Sequence, residues 1–389
     1  EERVSAKGEI VTMTDEAALV EIASQISDKG LRSVAVCLLN SYANNVNEQC
    51  VKKVLERELP GVHITLSSDI APQIREYPRT STTCINAYST PFSLPYLTGL
   101  TDQVRAEGCD LEPLIMLSNG GVVGAKTAAL QPVRMIESGP AAGALAAGLL
   151  SKTYGISDLI SFDMGGTTAK ACLIQDGEPL INGEIEVDRR YRFKPGSGMP
   201  ITVPSVDMIE IGAGGGSIAR VDDLGLLKVG PDSAGSSPGP ACYGLGGKQP
   251  CVTDADVFLG ILDPENFLGG SMPLNMDSCK SAINSLAKSL SVSDERAAYG
   301  IYSLVGETMA AAARTHATER GVSYRGLPLL AFGGAGPIHA CYVAEQLESE
   351  KVIFPKMASV LSAYGTLVTP VRLDMARSSL MRLEKIEWE

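Results

Sequence analysis

Four times along this chain a short apolar run stops on glycines. Residues 114–118 (LIMLS) run into NGG at 119–121, 159–164 (LISFDM) into GGTT at 165–168, 208–211 (MIEI) into GAGGGS at 212–217, and 329–332 (LLAF) into GGAGP at 333–337. A short continuous apolar run bounded by turn residues reads as a buried strand. Glycine at its end serves where backbone must turn sharply or approach another group closely. Such a chain has to place strands in an interior sheet and line the strand ends with backbone. Between 212 and 247 there are eleven glycines in thirty-six residues. That is too many for a packed element, so this stretch reads as a loop-rich surface or a close-approach site.

Helical and strand patterns alternate around these runs. Residues 15–30 have helical apolar spacing and end on Gly30, 33–39 form a continuous β-branched run, 47–61 read as a second amphipathic helix and 63–68 as a second strand. Alternation of this kind implies βαβ units and an α/β fold. A helix is expected around 84–107 and another over 339–348. The longest, 293–321, carries small residues suited to close packing on a sheet. The expected division is 1–150 for a first lobe with its connecting helix, 151–370 for a second lobe, and 371–389 for a terminal extension. The chain begins Glu-Glu without Met and is expected to be a piece of something longer.

The formal net charge is −12, from 33 basic and 45 acidic residues, and no dense Lys/Arg run occurs. Nucleic acid and anionic membranes are therefore not expected as partners, because phosphate binding needs clustered basic side chains. Any bound anion must be held locally, by backbone N–H groups or a metal. The nine cysteines are spread evenly with no CxxC, a reduced intracellular pattern. With three histidines, none near a Cys pair at ligand spacing, zinc is not expected. Apolar runs stop at about the length of 140–150, short of the ~20 residues of a membrane span, so a cytoplasmic location is the default. The basic cluster, 189–198, fits a solvated hairpin edge or a lid over phosphates.

The sharpest feature is SFDMGGTTAKACLI at 161–174. An apolar strand delivers Asp163 to a hairpin tip of Gly165, Gly166, Thr167 and Thr168, and a second strand carrying Lys170 leaves it. Adjacent glycines let N–H groups face inward as a nest for phosphate oxygens. The Thr hydroxyls add donors, and Asp163 is placed to hold a Mg2+–water shell. This is not a Walker loop, since GxxxxGK[ST] is absent and the segment continues as a strand. Read alone, it also fits a tight hairpin whose Asp caps the turn. A bulky side chain at Gly166 is expected to block phosphate approach and to strain the tip.

Two further loops are candidates for the same ligand. Gly212, Gly214, Gly215 and Gly216 form one, with Ser217 following. Gly333, Gly334, Ala335 and Gly336 form the other, between a strand and a helix, where backbone can approach a flat ring and a helix N-terminus favours anions. His339 follows that loop and either contacts ligand or sits as a satisfied helix-start histidine. Asp254, near Asp256, either touches metal or substrate or caps the next helix. Glu137 either orients water or Mg2+ or stabilises the helix opening at Pro140. His316, one turn from Arg320, reads as structural.

DMGGTTAK (163–170) followed at long range by AFGGAGP (331–337) resembles the phosphate and adenosine loops of the actin, sugar-kinase and heat-shock-chaperone superfamily. More narrowly, the ordered set LSNGG (117–121), ESGPAAG (137–143), FDMGGTTAK (162–170), IGAGGGSIA (211–219), GPACYGLGG (239–247), VTDADVFLG (252–260) and AFGGAGPIHA (331–340) is similar to the hydantoinase A/5-oxoprolinase family over nearly the whole chain. The resemblance implies an actin-like, ribonuclease H-like ATPase fold, with mixed sheets and helices on both faces. It also implies truncation at both ends, since the family's first Gly-Gly-Thr hairpin is missing before residue 119 and the family continues beyond 370.

The activity implied is ATP- and Mg2+-dependent hydrolysis of cyclic amides of the hydantoin, N-methylhydantoin or 5-oxoproline type, by phosphoryl transfer to the carbonyl oxygen. A subunit of an ATP-dependent ketone carboxylase fits the same motifs. Asp163, Glu137 and Lys170 are the expected catalytic residues, the three loops the nucleotide cradle, and Asp254, His339 and Ser217 the substrate or lid positions. A B-type hydantoinase subunit or domain is the expected partner, and self-association stays open. A nucleotide-gated scaffold without catalysis is the reading from another class, separated from the first by substrate-stimulated ATP hydrolysis.

Overall fold

The computed structural model describes residues 1–190 and 196–372, together with 374, 376 and 378. The chain divides into two units that are each discontinuous in sequence. The first holds residues 1–141, 181–206 and the described part of 369–389; the second holds 142–180 and 207–368.

In the first unit, α1 (Glu16–Asp28) starts at Asp15, whose carboxylate accepts from the Ala17 N–H, the usual N-cap device. It leads into β1 (Ser33–Val36); α2 (Val46–Glu58) then crosses to β2 (His63–Leu66), which pairs in parallel with β1. This is the βαβ unit that the alternating pattern implies. Leu19 and Ala23 from α1, Val54 and Leu55 from α2, and Val36 and Leu66 from the strands share one cluster. Complete burial of side chains of Val or Leu size stabilises by roughly 1.5–3 kcal/mol each.

Next comes α3 (Glu76–Ala106), which begins ahead of the expected 84. Pro78 falls in its first turn, where a missing N–H does no harm. Inside the helix, Thr82, Thr83, Thr90 and Thr101 each donate a hydroxyl to the carbonyl four residues earlier, so their polar groups are satisfied within the helix itself. An antiparallel hairpin, β3 (Leu114–Met116) and β4 (Val122–Gly124), follows, and then α4 (Ala125–Leu130). The chain leaves the first unit within α5 (Ser138–Tyr154).

The second unit is built on a mixed six-stranded sheet. The hairpin β5 (Leu159–Met164) and β6 (Ala169–Gln175) is extended on the β6 side by antiparallel β7 (Met208–Ile211). A separate antiparallel pair, β8 (Ser217–Val221) and β9 (Leu227–Ser233), interrupts the sheet in sequence. On the other side of β5 lie β10 (Leu329–Phe332) and β11 (Val352–Ile353), both parallel. The order is β7–β6–β5–β10–β11, with Glu178–Pro179 added to β6. All four residues of β10 are buried, as are all of β5 except Asp163, the pattern of interior strands.

Helices of this unit include α6 (Val252–Phe258), α7 (Met276–Leu290), α8 (Asp294–Glu319) and α9 (Gly336–Gln346). The long α8 is capped by Ser293 and buries Ala297, Ala298, Ala310, Ala312, Ala313 and Ala317, the small residues that let it lie close to its neighbours. α9 starts three positions before the expected 339 because Pro337 occupies its first turn, where its fixed φ is preorganised for a helix.

Candidate functional site

Asp163 sits one residue before the end of β5. Its cross-strand partner is Lys170 on β6, and the partner of Lys170 on β7 is Glu210. Direct cross-strand partners share a sheet face, so register alone aligns Glu210, Lys170 and Asp163 in one row. The Lys170 ammonium donates to Glu210 Oε1 at 3.1 Å and to Thr168 Oγ1 at 2.9 Å. Burial pushes the Asp163 carboxyl above the usual carboxylate range, while the Lys170 charge pulls it back down. Asp163 is thus a carboxylate short of solvation with one cation at hand, and a second cation beside it would be stabilised.

The turn after β5 is closed by the Gly165 N–H donating to Thr168 O at 3.0 Å, and Gly166 and Thr167 stand exposed at the tip. The 212–217 loop docks on this tip. Gly215 and Gly216 donate their N–H groups to the carbonyls of Gly165 and Gly166, at 3.1 and 2.6 Å. A Cβ at Gly214 would fall 2.7 Å from the Gly166 carbonyl, so only glycine permits the approach. Thr253, in the first turn of α6, donates both its N–H and its hydroxyl to Gly215 O, each at 2.8 Å. In the third loop, Ala335 N–H donates to Met164 O at 2.9 Å and Gly333 N–H to Ala358 O at 2.9 Å. Gly333 has φ +87° and packs so tightly on Asp163 Oδ1 that a Cβ would overlap it. Gly334 is exposed, with no protein atom within 4 Å of a Cβ built there.

The three glycine loops therefore meet around the end of β5, within one unit. Most of their N–H groups act in a way the sequence does not reveal. Those of Gly215, Gly216, Gly333 and Ala335 hold the loops to each other and to the sheet, and the exposed backbone of the cluster is at Gly166, Thr167 and Gly334. The remaining expected site residues are placed elsewhere. Ser217 is fully buried, and its hydroxyl accepts from Gly214 N–H at 2.9 Å, closing the loop from within. Asp254 is also fully buried. It accepts from the N–H groups of Ala241, Cys242 and Cys251, at 3.1, 2.7 and 2.8 Å, which is the capping alternative.

His339 lies inside α9's packing. Its Nε2 is 3.3 Å from Asp256 Oδ2, and its ring stacks on Tyr302 with centroids 5.0 Å apart. Glu137 belongs to the first unit, where its left-handed φ of +62° turns the chain into α5 and its carbonyl accepts from Ala141 N–H. His316 and Arg320 both face Asp207, which receives two hydrogen bonds from the Arg320 guanidinium. Of the basic cluster at 189–198, residues 191–195 lie outside the described residues.

Thr253, Glu210, Asp256 and Tyr302 escape sequence reasoning about the site. For Asp256 the only signal was its spacing from Asp254, and on a helix that spacing points the two apart. All nine cysteines are free thiols, and burial pushes Cys251 and Cys279 up to about 12. Among the described residues no group of three or more His, Cys, Asp or Glu is arranged to hold a metal ion, and no helix is long and apolar enough to cross a membrane.

The sequence profile described as Hydantoinase/oxoprolinase matches residues 79–375, and that of the Hydantoinase/oxoprolinase N-terminal region matches 1–59. An uncharacterized protein of Methanocaldococcus jannaschii is 41% identical over 100% of this chain and 58% of its own length. The caprolactamase subunit alpha of Pseudomonas jessenii is 37% identical over 98% of this chain and 54% of its own. The 5-oxoprolinase 1 of Arabidopsis thaliana is 32% identical over 92% and 28%. Among solved structures, nucleotide-free acetone carboxylase, from work on ATP-dependent acetone carboxylation, superposes with a TM-score of 0.82 at 29% identity, covering 94% of this chain and 51% of that one. The ATP-dependent caprolactamase of Pseudomonas jessenii gives 0.77 at 35%, covering 95% and 52%. The chain thus spans little more than half the length of the first relatives it matches. Its α/β fold is theirs, consistent with the actin-like ATPase type expected.

Proposed function

The chain belongs to the hydantoinase/oxoprolinase family, and from that premise we propose that the complete protein is an ATP-dependent hydrolase of cyclic amides. One observation carries the reading: three glycine loops converge on Asp163 at the end of β5, leaving Gly166, Thr167 and Gly334 exposed around a carboxylate that burial leaves short of solvation. These residues fit Mg2+-ATP. Thr167 and the tip backbone offer donors to phosphate oxygens, Asp163 would hold Mg2+ through water, and the cleared space over Gly334 admits a flat base. When bound, ATP supplies a phosphoryl group to the amide oxygen, which makes the ring carbon a better target for water.

The residues themselves act by position. Lys170, fixed by Glu210 and Thr168, keeps positive charge beside Asp163 and the tip, where negative charge grows during phosphoryl transfer. Gly215 and Gly216 hold the tip's carbonyls, so its backbone need not reorganise as that charge develops. One named relative, the caprolactamase chain of Pseudomonas jessenii, is a subunit alpha, which supports a partner subunit for the step that uses water.

Carboxylation of a ketone is the second reading, favoured by the higher TM-score to acetone carboxylase, whereas identity favours caprolactamase. The test is calorimetric titration of the complete protein with ATP, with and without Mg2+, beside an Asp163→Ala variant, followed by ADP release with a cyclic amide or with ketone plus bicarbonate. Mg2+-dependent binding that is lost in the variant, with amide-stimulated ADP release, is expected. ADP release stimulated by ketone and bicarbonate alone would replace this reading with the second.

A further inference from the structure

One stretch of the first unit stands out by what it lacks. Residues 80–101, twenty-two in a row within α3, hold no Asp, Glu, Lys, Arg or His, in a chain where charged residues make up 20%. The inward side of the helix accounts for part of this, since Thr82, Thr83, Asn86, Ala87, Thr90 and Leu97 are buried. Burial does not explain the outward side. There Cys84, Tyr88, Phe92 and Tyr96 follow one another at steps of four residues, all exposed, with Pro95 beside them. That spacing keeps them on one face of a helix. Tyr88, Phe92 and Tyr96 are 73%, 57% and 68% exposed.

Nothing in the helix itself calls for these side chains. Aromatic residues are middling helix formers, and Pro91 and Pro95 inside the helix each remove a backbone donor. The rings are nevertheless arranged against each other. The Tyr88 and Phe92 centroids stand 5.9 Å apart, and the Arg32 guanidinium lies 5.6 Å from the Phe92 centroid at the margin of the face. A surface rich in Tyr and Phe and poor in charge has the composition of an interface centre. At roughly 150–250 Å2 per aromatic side chain, the exposed parts of the three, with Cys84 and Pro95, offer about 450 Å2. Two such faces and the rim around Arg32 would remove about 1,000 Å2 from water, the size at which specific interfaces begin.

We propose that this face of α3 is a self-association surface, and that its occupant is the same face of a second copy of the chain. Charge selects this partner. Each copy carries a formal net charge of −12, so two copies repel wherever their acidic surfaces meet, and a stable contact needs a patch free of charge. A different, basic partner would be recognised through the acidic residues that this face lacks. An aromatic ladder is also self-complementary, because rings of one copy stack in offset or edge-on geometry on rings of the other. In a two-fold contact the same residues meet from both sides. Tyr88 lies near the middle of the 84–96 ladder, so such a contact brings it close to its own counterpart. The inference goes beyond the ATP-dependent reading and does not depend on it.

The test is sedimentation equilibrium of the complete protein, without nucleotide, across the micromolar range. A reversible dimer is expected. Tyr88→Lys and Tyr88→Asp should each weaken it by about tenfold or more, as loss of a central aromatic anchor does. An equimolar mixture of the two variants should regain association, because opposite charges then face each other across the axis. Leu224→Lys, on the exposed tip of the β8–β9 hairpin in the second unit, should leave the dimer as it is. Thermal unfolding close to the parent's shows that the charged variants keep their fold; should either lose its transition, Tyr88→Ala reads the same weakening. A monomer at every concentration would overturn the assignment and leave the face to further chain of the complete protein or to a different partner. A dimer undiminished by Tyr88→Lys, or a mixture no tighter than either variant alone, would overturn it as well. Because no nucleotide is present, none of these outcomes bears on the hydrolase reading, and failure of that reading leaves the self-contact standing.

Discussion

His339 Nε2 stands 3.3 Å from Asp256 Oδ2, with the two side chains at 0% and 2% exposure. Asp256 is one turn along α6 from Thr253, which grips Gly215, and His339 is one turn along α9 from Gly336, where the third glycine loop ends. The pair therefore links the helix that holds one glycine loop to the helix that grows out of another. Asp256 Oδ1 and His339 Nδ1 have no hydrogen-bond partner, so the contact between them is each group's main compensation for burial.

Removing one side of that contact should be expensive. Asp256→Ala strands a buried imidazole and is expected to lower stability by about 3 kcal/mol, the scale for breaking a buried pair from one side. Asp256→Asn keeps an oxygen acceptor and should lose closer to ~1 kcal/mol. Urea unfolding midpoints of the three proteins measure the difference. Equal midpoints for Asp256→Ala and the parent would show that the pair contributes nothing.

Asp163 gives a prediction with a defined pH sign. Burial raises its carboxyl pKa in the folded state. Its charged form is therefore disfavoured by folding, and the penalty sets in as pH rises through the unfolded value and is complete above the folded one. Asp163→Asn should accordingly be at least as stable as the parent at pH 7, with the advantage vanishing below about pH 4. The same variant should lose ATP turnover. A variant destabilised at pH 7 would mean that Lys170 more than offsets the burial.

How much of this was legible in the residues follows from what each feature requires. Gly-Gly at a strand end has few other uses, so the three loops and the β5–β6 hairpin could be read directly. Register could not, because the pairing of Lys170 with Glu210 depends on which residues of β6 and β7 face each other across forty residues of chain. Nor could the destinations of N–H groups. Gly215 and Gly216 look like ligand donors in sequence but donate to the hairpin. Ser217 and Asp254 were visible as polar residues beside a site, yet their own backbone neighbours absorb them. Their burial depends on the packing of α6 and the 241–242 turn, which no local pattern encodes.

His316 supplies a second pH dependence, of the opposite sign. Burial lowers its pKa, against the raising influence of Asp207, and Arg320 lowers it further. The unfolded chain then takes up a proton more readily than the folded one, so stability falls as pH drops through about 6.5. His316→Gln should flatten part of the decline in urea midpoint between pH 7.5 and 5.5. A slope identical to the parent's would show that other groups carry it.

The hairpin tip separates a structural glycine from a ligand-clearing one. At Gly214 a Cβ would meet the backbone of Gly165 and Gly166, at 2.8 and 2.7 Å, and backbone cannot swing aside as a side chain can. Gly214→Ala should therefore shift the tip and destabilise by about 1–3 kcal/mol, the range for overpacking a tight contact. Gly166 is different. No protein atom lies within 4 Å of a Cβ built there, and its φ is outside the left-handed region, so the strain expected from sequence does not arise. Gly166→Val should leave thermal unfolding within a degree or two of the parent, as surface changes generally do, while weakening ATP binding by about tenfold or more. Calorimetry and a thermal melt on the same samples decide it. ATP affinity retained in a folded Gly166→Val protein would move the phosphate site away from this tip.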